Sequence, residues 1–244
     1  MFVGLPVKKI SKRGIGENLI HIRVWKIAFD LLLFFVAITI ALVLIYKFVN
    51  PPTTPLMWVR WVESGTPKNL PLYLNAWVPI EQVSSNITKA VLAAEDQKFF
   101  SHNGFDWMAI EYAIQTNLTT DRKVGASTIS MQTARNVFLW QTRTWFRKLL
   151  ESYFTVLIEF FWSKQRILEV YLNVIEWGDG IFGCEKAAQK YFKHSSKTLS
   201  PVESAWMAAV LPNPRQWALR PTPKHVQVRQ VKILDALPHM KIIK

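Results

Sequence analysis

Residues Leu31 to Tyr46 run without a single charged side chain, and no other feature limits the fold of this chain as strongly. With its apolar flanks the segment reaches from Ile27 to Val49, 23 residues. At ~1.5 Å per helical residue, that length crosses a hydrocarbon core of roughly 30 Å. Asp30 is its one acid and lies within the first turn, close enough to the interface to reach headgroups or water. Lys8, Lys9, Lys12, Arg13, Arg23 and Lys26 precede the span against the single acid Glu17. This bias predicts a cytoplasmic N-terminus, with everything after Asn50 on the far side. A cleaved leader fits less well, because its apolar stretch is usually ~7–15 residues and Asn50-Pro51-Pro52 is a poor cleavage site. The expected organisation is a basic tail (1–26), a retained transmembrane anchor (27–49), a linker (50–69) and one folded domain (70–244).

The formal charge of +13 narrows what that domain meets. Basic surfaces seek phosphates, and a domain beyond the cytoplasmic membrane rarely encounters nucleic acid. Anionic headgroups or a phosphorylated substrate remain. One cysteine, Cys184, excludes an internal disulfide framework and reads as a small core residue. His21, His102, His194, His225 and His239 are scattered, so no zinc site is expected.

Pro51-Pro52-Thr53-Thr54-Pro55 reads as a stiff linker, and 56–80 as loops or a small strand pair broken by prolines. From Ser85 the periodicity turns helical, with Ser84 or Ser85 as cap. Further helices are predicted over 106–118, from Ser127 or Thr128 to Phe138, and over 144–162. Ser163 can cap another, Lys164 to Trp177, broken by Gly178-Asp179-Gly180. Two more follow at 183–192 and 200–210. Periodicity leaves open whether Phe154–Trp162 faces a core or lipid. The fold class is mostly α.

Three constellations carry chemistry. The first is an apolar helix, Ile87 to Ala94, that ends in Glu95 and Asp96, with His102 and Gly104 shortly after. The negative end of the helix dipole disfavours ionisation there and predicts a raised pKa for Glu95, as a general base near neutral pH requires. The bland alternative is a helix that ends in solvated acids with a cap near Asn103-Gly104. The second is Arg135, Arg143, Arg147 and Lys148 leading to Glu151. Spacing of four aligns Arg143, Arg147 and Glu151 along one stripe, and arginine forks with a mobile lysine suit a pyrophosphate. An ordinary exposed Arg–Glu pair is the competing reading. The third is Gly125-Ala126-Ser127-Thr128, where a helix start can offer N–H groups to an anion or simply carry an N-cap.

In order, Glu95-Asp96-x-x-Phe99-x-x-His102-x-Gly104, then Gly125-Ala126-Ser127-Thr128-Ile129-Ser130-x-Gln132, then Arg147-Lys148-x-x-Glu151, then Lys164-x-x-Ile167-Leu168-Glu169-x-Tyr171-Leu172-Asn173 resemble the motifs of peptidoglycan glycosyltransferases. The resemblance covers roughly 70–220, and the short, singly anchored layout is similar to the monofunctional branch in Gram-negative bacteria. It implies a lysozyme-like helical lobe with a smaller membrane-associated jaw, after one transmembrane helix. It also implies an enzyme of the bacterial inner membrane with a periplasmic catalytic domain. The reaction would join the growing glycan chain to lipid II with inversion, releasing undecaprenyl pyrophosphate. Glu95 would be the base and Glu151 the second essential carboxylate, near the leaving pyrophosphate, where it would orient the cation cluster, hold a divalent metal or steady developing charge. Arg135, Arg143, Arg147 and Lys148 would grip pyrophosphate, and Ser127, Thr128 and Gln132 would line the donor cleft. Asp96, Phe99, His102 and Gly104 would support the site. No cofactor is required, though Mg²⁺ or Mn²⁺ could be bound with the pyrophosphate. Expected partners are lipid II, the glycan chain, the inner membrane and other wall synthases or divisome proteins.

Two positions depart from the family pattern. Met131 replaces the first glutamine of a pair, and Arg135 stands where lysine is common. The cations favour a leaving group that is already anionic, since hydrolysis of a sugar ether instead calls for a protonating acid. A lytic transglycosylase or muramidase and an inactive wall-synthesis scaffold are the alternatives. The absence of any Ser-x-x-Lys disfavours a penicillin-sensitive transpeptidase.

Overall fold

The computed structural model describes residues 12–65, 77–121, 123–142, 144–218 and 221–242. The chain divides into two compact units, the first ending at Ile45 and the second running from Tyr46. Helix α1 (Lys12–Phe48) accounts for the described part of the first unit. Its stretch Arg23–Phe48, 26 residues, is long and apolar enough to cross a membrane. Leu31, Leu32, Leu33 and Phe34 in succession are exposed, so apolar side chains surround the helix rather than forming one stripe. Such a helix is consistent with a membrane span.

The second unit is helical apart from one hairpin among the described residues. Helix α2 (Pro55–Glu63) corrects the reading of this stretch as linker and loop. Proline at the first helical position costs no hydrogen bond, and the Thr54 hydroxyl accepts from Met57 N at 3.3 Å. Leu56 and Met57 are then buried. Pro55, read as the end of a stiff linker, is a helix start.

Helices α3 (Ser85–Glu95), α4 (Trp107–Thr119), α5 (Ile129–Phe138), α6 (Trp145–Phe161) and α7 (Lys164–Val174) follow the predicted order. Side chains of Ser84, Asp106, Thr128, Thr144 and Ser163 cap them. Helix α7 ends three residues short of the predicted Trp177, where an antiparallel pair begins, β1 (Glu176–Gly178) and β2 (Ile181–Phe182). A Cβ on Gly178 would stand 1.9 Å from the Tyr191 hydroxyl, so this glycine serves close packing as well as the turn. Helices α8 (Cys184–Phe192) and α9 (Pro201–Val210) come next, then α10 (Pro214–Trp217) and α11 (Lys224–Ala236), for which the periodicity made no provision.

Helix α9 packs against α3 and α11, and α5 against α6 and α7. Small residues permit the close approach: Ala90 of α3 and Ala205, Ala208 and Ala209 of α9 have no exposed surface. Ile87, Val91 and Leu92 of α3 are buried as well. At ~1.5–3 kcal/mol for each such side chain, an upper bound, α3 is firmly seated and holds its last residue still. Phe154 and Ile158 of α6 and its C-cap Trp162 are buried, whereas Val156 and Phe160 are exposed. The segment from Phe154 to Trp162 thus has one core face and one open apolar face.

Candidate active site

Glu95 closes α3 with its side chain 15% exposed. Gln132 of α5 donates from Nε2 to Glu95 Oε2 at 3.0 Å. Arg229 of α11 donates from one Nη to Glu95 Oε1 at 3.0 Å and to the Ala94 carbonyl at 3.1 Å. Burial is the leading influence on this carboxyl and raises its pKa above the ordinary value. The Gln132 hydrogen bond and the charges of Arg229 and Arg135 oppose it without reversing it. The direction matches the sequence expectation, but the cause is desolvation rather than the helix dipole. The nearby carbonyl end of α3 is in fact partly compensated by Arg229.

Asp96 ties the corner after α3 to the start of α5. Its carboxylate lies 3.1 Å from His102 Nε2 and accepts from Ile129 N at 3.0 Å. Phe99 is wholly buried, with Lys164 Nζ 4.5 Å from its ring centre. Gly104 adopts φ +89°, and its carbonyl accepts from the Thr128 hydroxyl at 2.6 Å. The same Thr128 oxygen caps α5, so the Gly104 corner is tied to the start of the helix that carries Gln132. Beside Glu95 opens a cavity of about 280 Å³ whose walls include Lys98, Asp106, Gly125, Ser127 and Thr128.

Glu151 is fully buried on α6. Arg147 Nη1 donates to its Oε2, and Lys148 Nζ lies 2.5 Å from Oε1. Arg147 also donates to the Thr142 carbonyl, and is itself buried. Lys148 keeps a side chain 38% exposed. The predicted residues therefore form two groups: Glu95 with Gln132 and Arg135, and Glu151 with Arg147 and Lys148. Arg143 lies outside the described residues. Both Glu151 oxygens are occupied by cations, and among the described residues no three His, Cys, Asp or Glu side chains converge as a metal site.

Sequence reasoning missed Arg229. It lies 134 positions from Glu95, on a helix whose fully buried apolar positions are Val226 and Ile233. Their spacing of seven, with Arg229 on the intervening turn, was the available signal.

The helical lobe thus presents a buried carboxyl beside a cleft, and gathers a buried arginine and a part-exposed lysine on a second, fully buried carboxylate. Residues 72–238 match the family described as Transglycosylase, and the chain belongs to it. It is 53% identical over 204 residues to a biosynthetic peptidoglycan transglycosylase of Bdellovibrio bacteriovorus, covering 84% of this chain and 81% of that one. A protein of the same description from Bacteroides thetaiotaomicron is 44% identical over 230 residues, 94% of this chain and 87% of the relative. One from Caulobacter vibrioides is 46% identical over 203 residues, 83% and 86% of the two chains.

Proposed function

We propose that this enzyme, a peptidoglycan glycosyltransferase, polymerises lipid II, taking the growing glycan chain as donor and releasing undecaprenyl pyrophosphate. The observation that carries this reading is Glu95. Its buried carboxyl has a raised pKa, is held by Gln132 and Arg229, and faces a cleft. Ionised, it removes the proton from the acceptor 4-hydroxyl as that oxygen attacks the donor anomeric carbon from the face opposite the pyrophosphate. The leaving group departs as an anion, so cations rather than a general acid assist it. Arg135, whose buried Nε has no hydrogen-bond acceptor among the described residues, and Lys148, partly exposed, supply that charge together with Arg143. Glu151 holds Arg147 and Lys148 in place. Ser127, Thr128 and Gln132 bound the donor side of the cleft, and Asp96, Phe99, His102 and Gly104 brace it. No step runs through a protein-held metal. Mg²⁺ or Mn²⁺ accompanying the substrate would show as a loss of rate on chelation that leaves folding unchanged.

The anchor confines the enzyme to the inner membrane with the catalytic domain in the periplasm, where a lipid-linked substrate resides. Exposed Trp145, Phe146, Leu149 and Phe160 on α6 and Trp107 and Met108 on α4 give the jaw an apolar surface for the bilayer. Other wall synthases or divisome proteins are the partners such a site would serve.

The test is polymerisation of purified lipid II by wild type, Glu95→Gln and Glu151→Gln, with moenomycin as inhibitor. Wild type makes polymer, and both folded variants lose nearly all activity. Soluble fragments released from finished sacculi would instead support a lytic enzyme, and undiminished function of Glu95→Gln a scaffold.

A further inference from the structure

Tyr171 lies in the middle of α7, 1% exposed, and donates its hydroxyl to Gln132 Oε1 at 3.1 Å. Gln132 Nε2 turns the other way, to Glu95 Oε2 at 3.0 Å, with a longer contact to the Ser127 carbonyl at 3.5 Å. The three side chains come from separate helices and form one hydrogen-bonded line: hydroxyl to amide oxygen, amide nitrogen to carboxylate.

A primary amide has two nearly isosteric ends, and which end meets Glu95 decides what the amide does to it. A nitrogen facing the carboxylate stabilises the ionised form; an oxygen there repels it. The Tyr171 O–H donation can be received only by the amide oxygen, so this bond favours the orientation that turns the amide nitrogen to Glu95. We infer that Tyr171 is a positioning residue for the base, acting through Gln132 to keep an N–H directed at Glu95. Burial holds the Tyr171 phenol well above its usual pKa, so it remains a donor throughout the working range.

The other groups facing Glu95 do not fill this role. Arg229 of α11 binds the opposite carboxylate oxygen, and Arg135 of α5 acts by charge. Neighbouring Asp96 is engaged by His102 and Ile129 N. Lys98 and Asp106 border the cavity. Of the groups that hydrogen-bond the Glu95 carboxylate, Gln132 is the one with two interchangeable ends.

This inference rests on the reading of Glu95 as base, and the experiment separates the two. Lipid II polymerisation is followed against pH for the full chain carrying Tyr171→Phe, Gln132→Ala, both together, or Glu95→Gln. Tyr171→Phe keeps the ring in the core. It should move the acidic limb of kcat upward by about one pH unit, a roughly tenfold loss below the limb that recovers above it. The shift should vanish on the Gln132→Ala background, since Tyr171 then has nothing to orient. Carboxyl NMR titration of Glu95 in the same variants reads the shift without turnover, and circular dichroism confirms folding. A uniform drop of the plateau with an unmoved limb, or a shift that persists without Gln132, overturns the inference while leaving the base reading intact. An active Glu95→Gln overturns the base reading itself.

Discussion

Replacing Gly104 with alanine perturbs the corner that joins α3 to α5, and its cost follows from two separate observations. The backbone sits at φ +89°, where an L side chain is strained by about 1–3 kcal/mol. The added Cβ would also lie 2.8 Å from Thr155 Cγ2 and 3.1 Å from Glu159 Cγ. Both belong to α6, and Thr155 is fully buried. Overpacking of this kind costs about 1–3 kcal/mol. Together they predict a destabilisation of about 2–6 kcal/mol, a large share of the ~5–15 kcal/mol typical of a domain. Thr155→Ser divides the sum. It removes Cγ2 yet keeps the hydroxyl that donates to the Glu151 carbonyl at 2.7 Å. Gly104→Ala/Thr155→Ser should therefore recover most of the packing share and none of the backbone share. Urea denaturation in detergent, followed by tryptophan fluorescence, measures all three variants. A Gly104→Ala loss below about 1 kcal/mol, or a double variant no better than the single one, would refute this account of the corner.

Burial holds the Glu95 carboxyl above its usual range, so the native state binds this proton more tightly than the unfolded chain. The resulting stabilisation is complete below the ordinary carboxylate pKa and is lost as pH rises through the raised native value. At neutral pH ionised Glu95 costs stability, and the folded, inactive Glu95→Gln should melt higher than wild type there, with the advantage gone in acid; a lower melting point at neutral pH would contradict this. Arg229→Met removes a charge-assisted bond worth about 1.5–3 kcal/mol before screening of its one-third-exposed side chain is discounted. It should move the acidic limb of activity upward, and an unchanged limb would place Arg229 outside the control of Glu95. Arg147→Met leaves Glu151 buried with one partner fewer and should cost about 3–5 kcal/mol by denaturant titration. Lys148→Met, at a side chain 38% exposed, should cost much less stability but at least tenfold in polymerisation rate.

Local chemistry made much of this molecule legible in advance. An uncharged run as long as Leu31–Tyr46 has one good solvent, whatever the rest of the chain does. Hydroxyl caps at Ser84, Thr128 and Ser163 mark helix starts because they satisfy backbone donors within three residues. The Arg147–Glu151 pair is likewise an effect of one helical turn. Pro55 misled because proline opens a helix as readily as it stiffens a linker, and burial of Leu56 and Met57 decides between them. The hairpin at Glu176–Phe182 replaced the end of a predicted helix for a similar reason: Trp177 is wholly buried, and its carbonyl accepts from the Tyr191 hydroxyl at 3.3 Å.

Glu95 stood out from its neighbours in the chain, but its environment did not. Gln132, Tyr171 and Arg229 reach it from 37, 76 and 134 positions away. Residue order determined that an acid would terminate a buried helix, behind a segment long and apolar enough to cross a membrane. The packing of α3 against α9 and α11, and of α5 against α7, decided which oxygen of that acid meets an arginine and which meets an amide. The division has a physical origin: caps and periodicity act across a single turn, whereas burial of a carboxyl and the direction of its hydrogen bonds exist only once distant helices exclude water from the same spot.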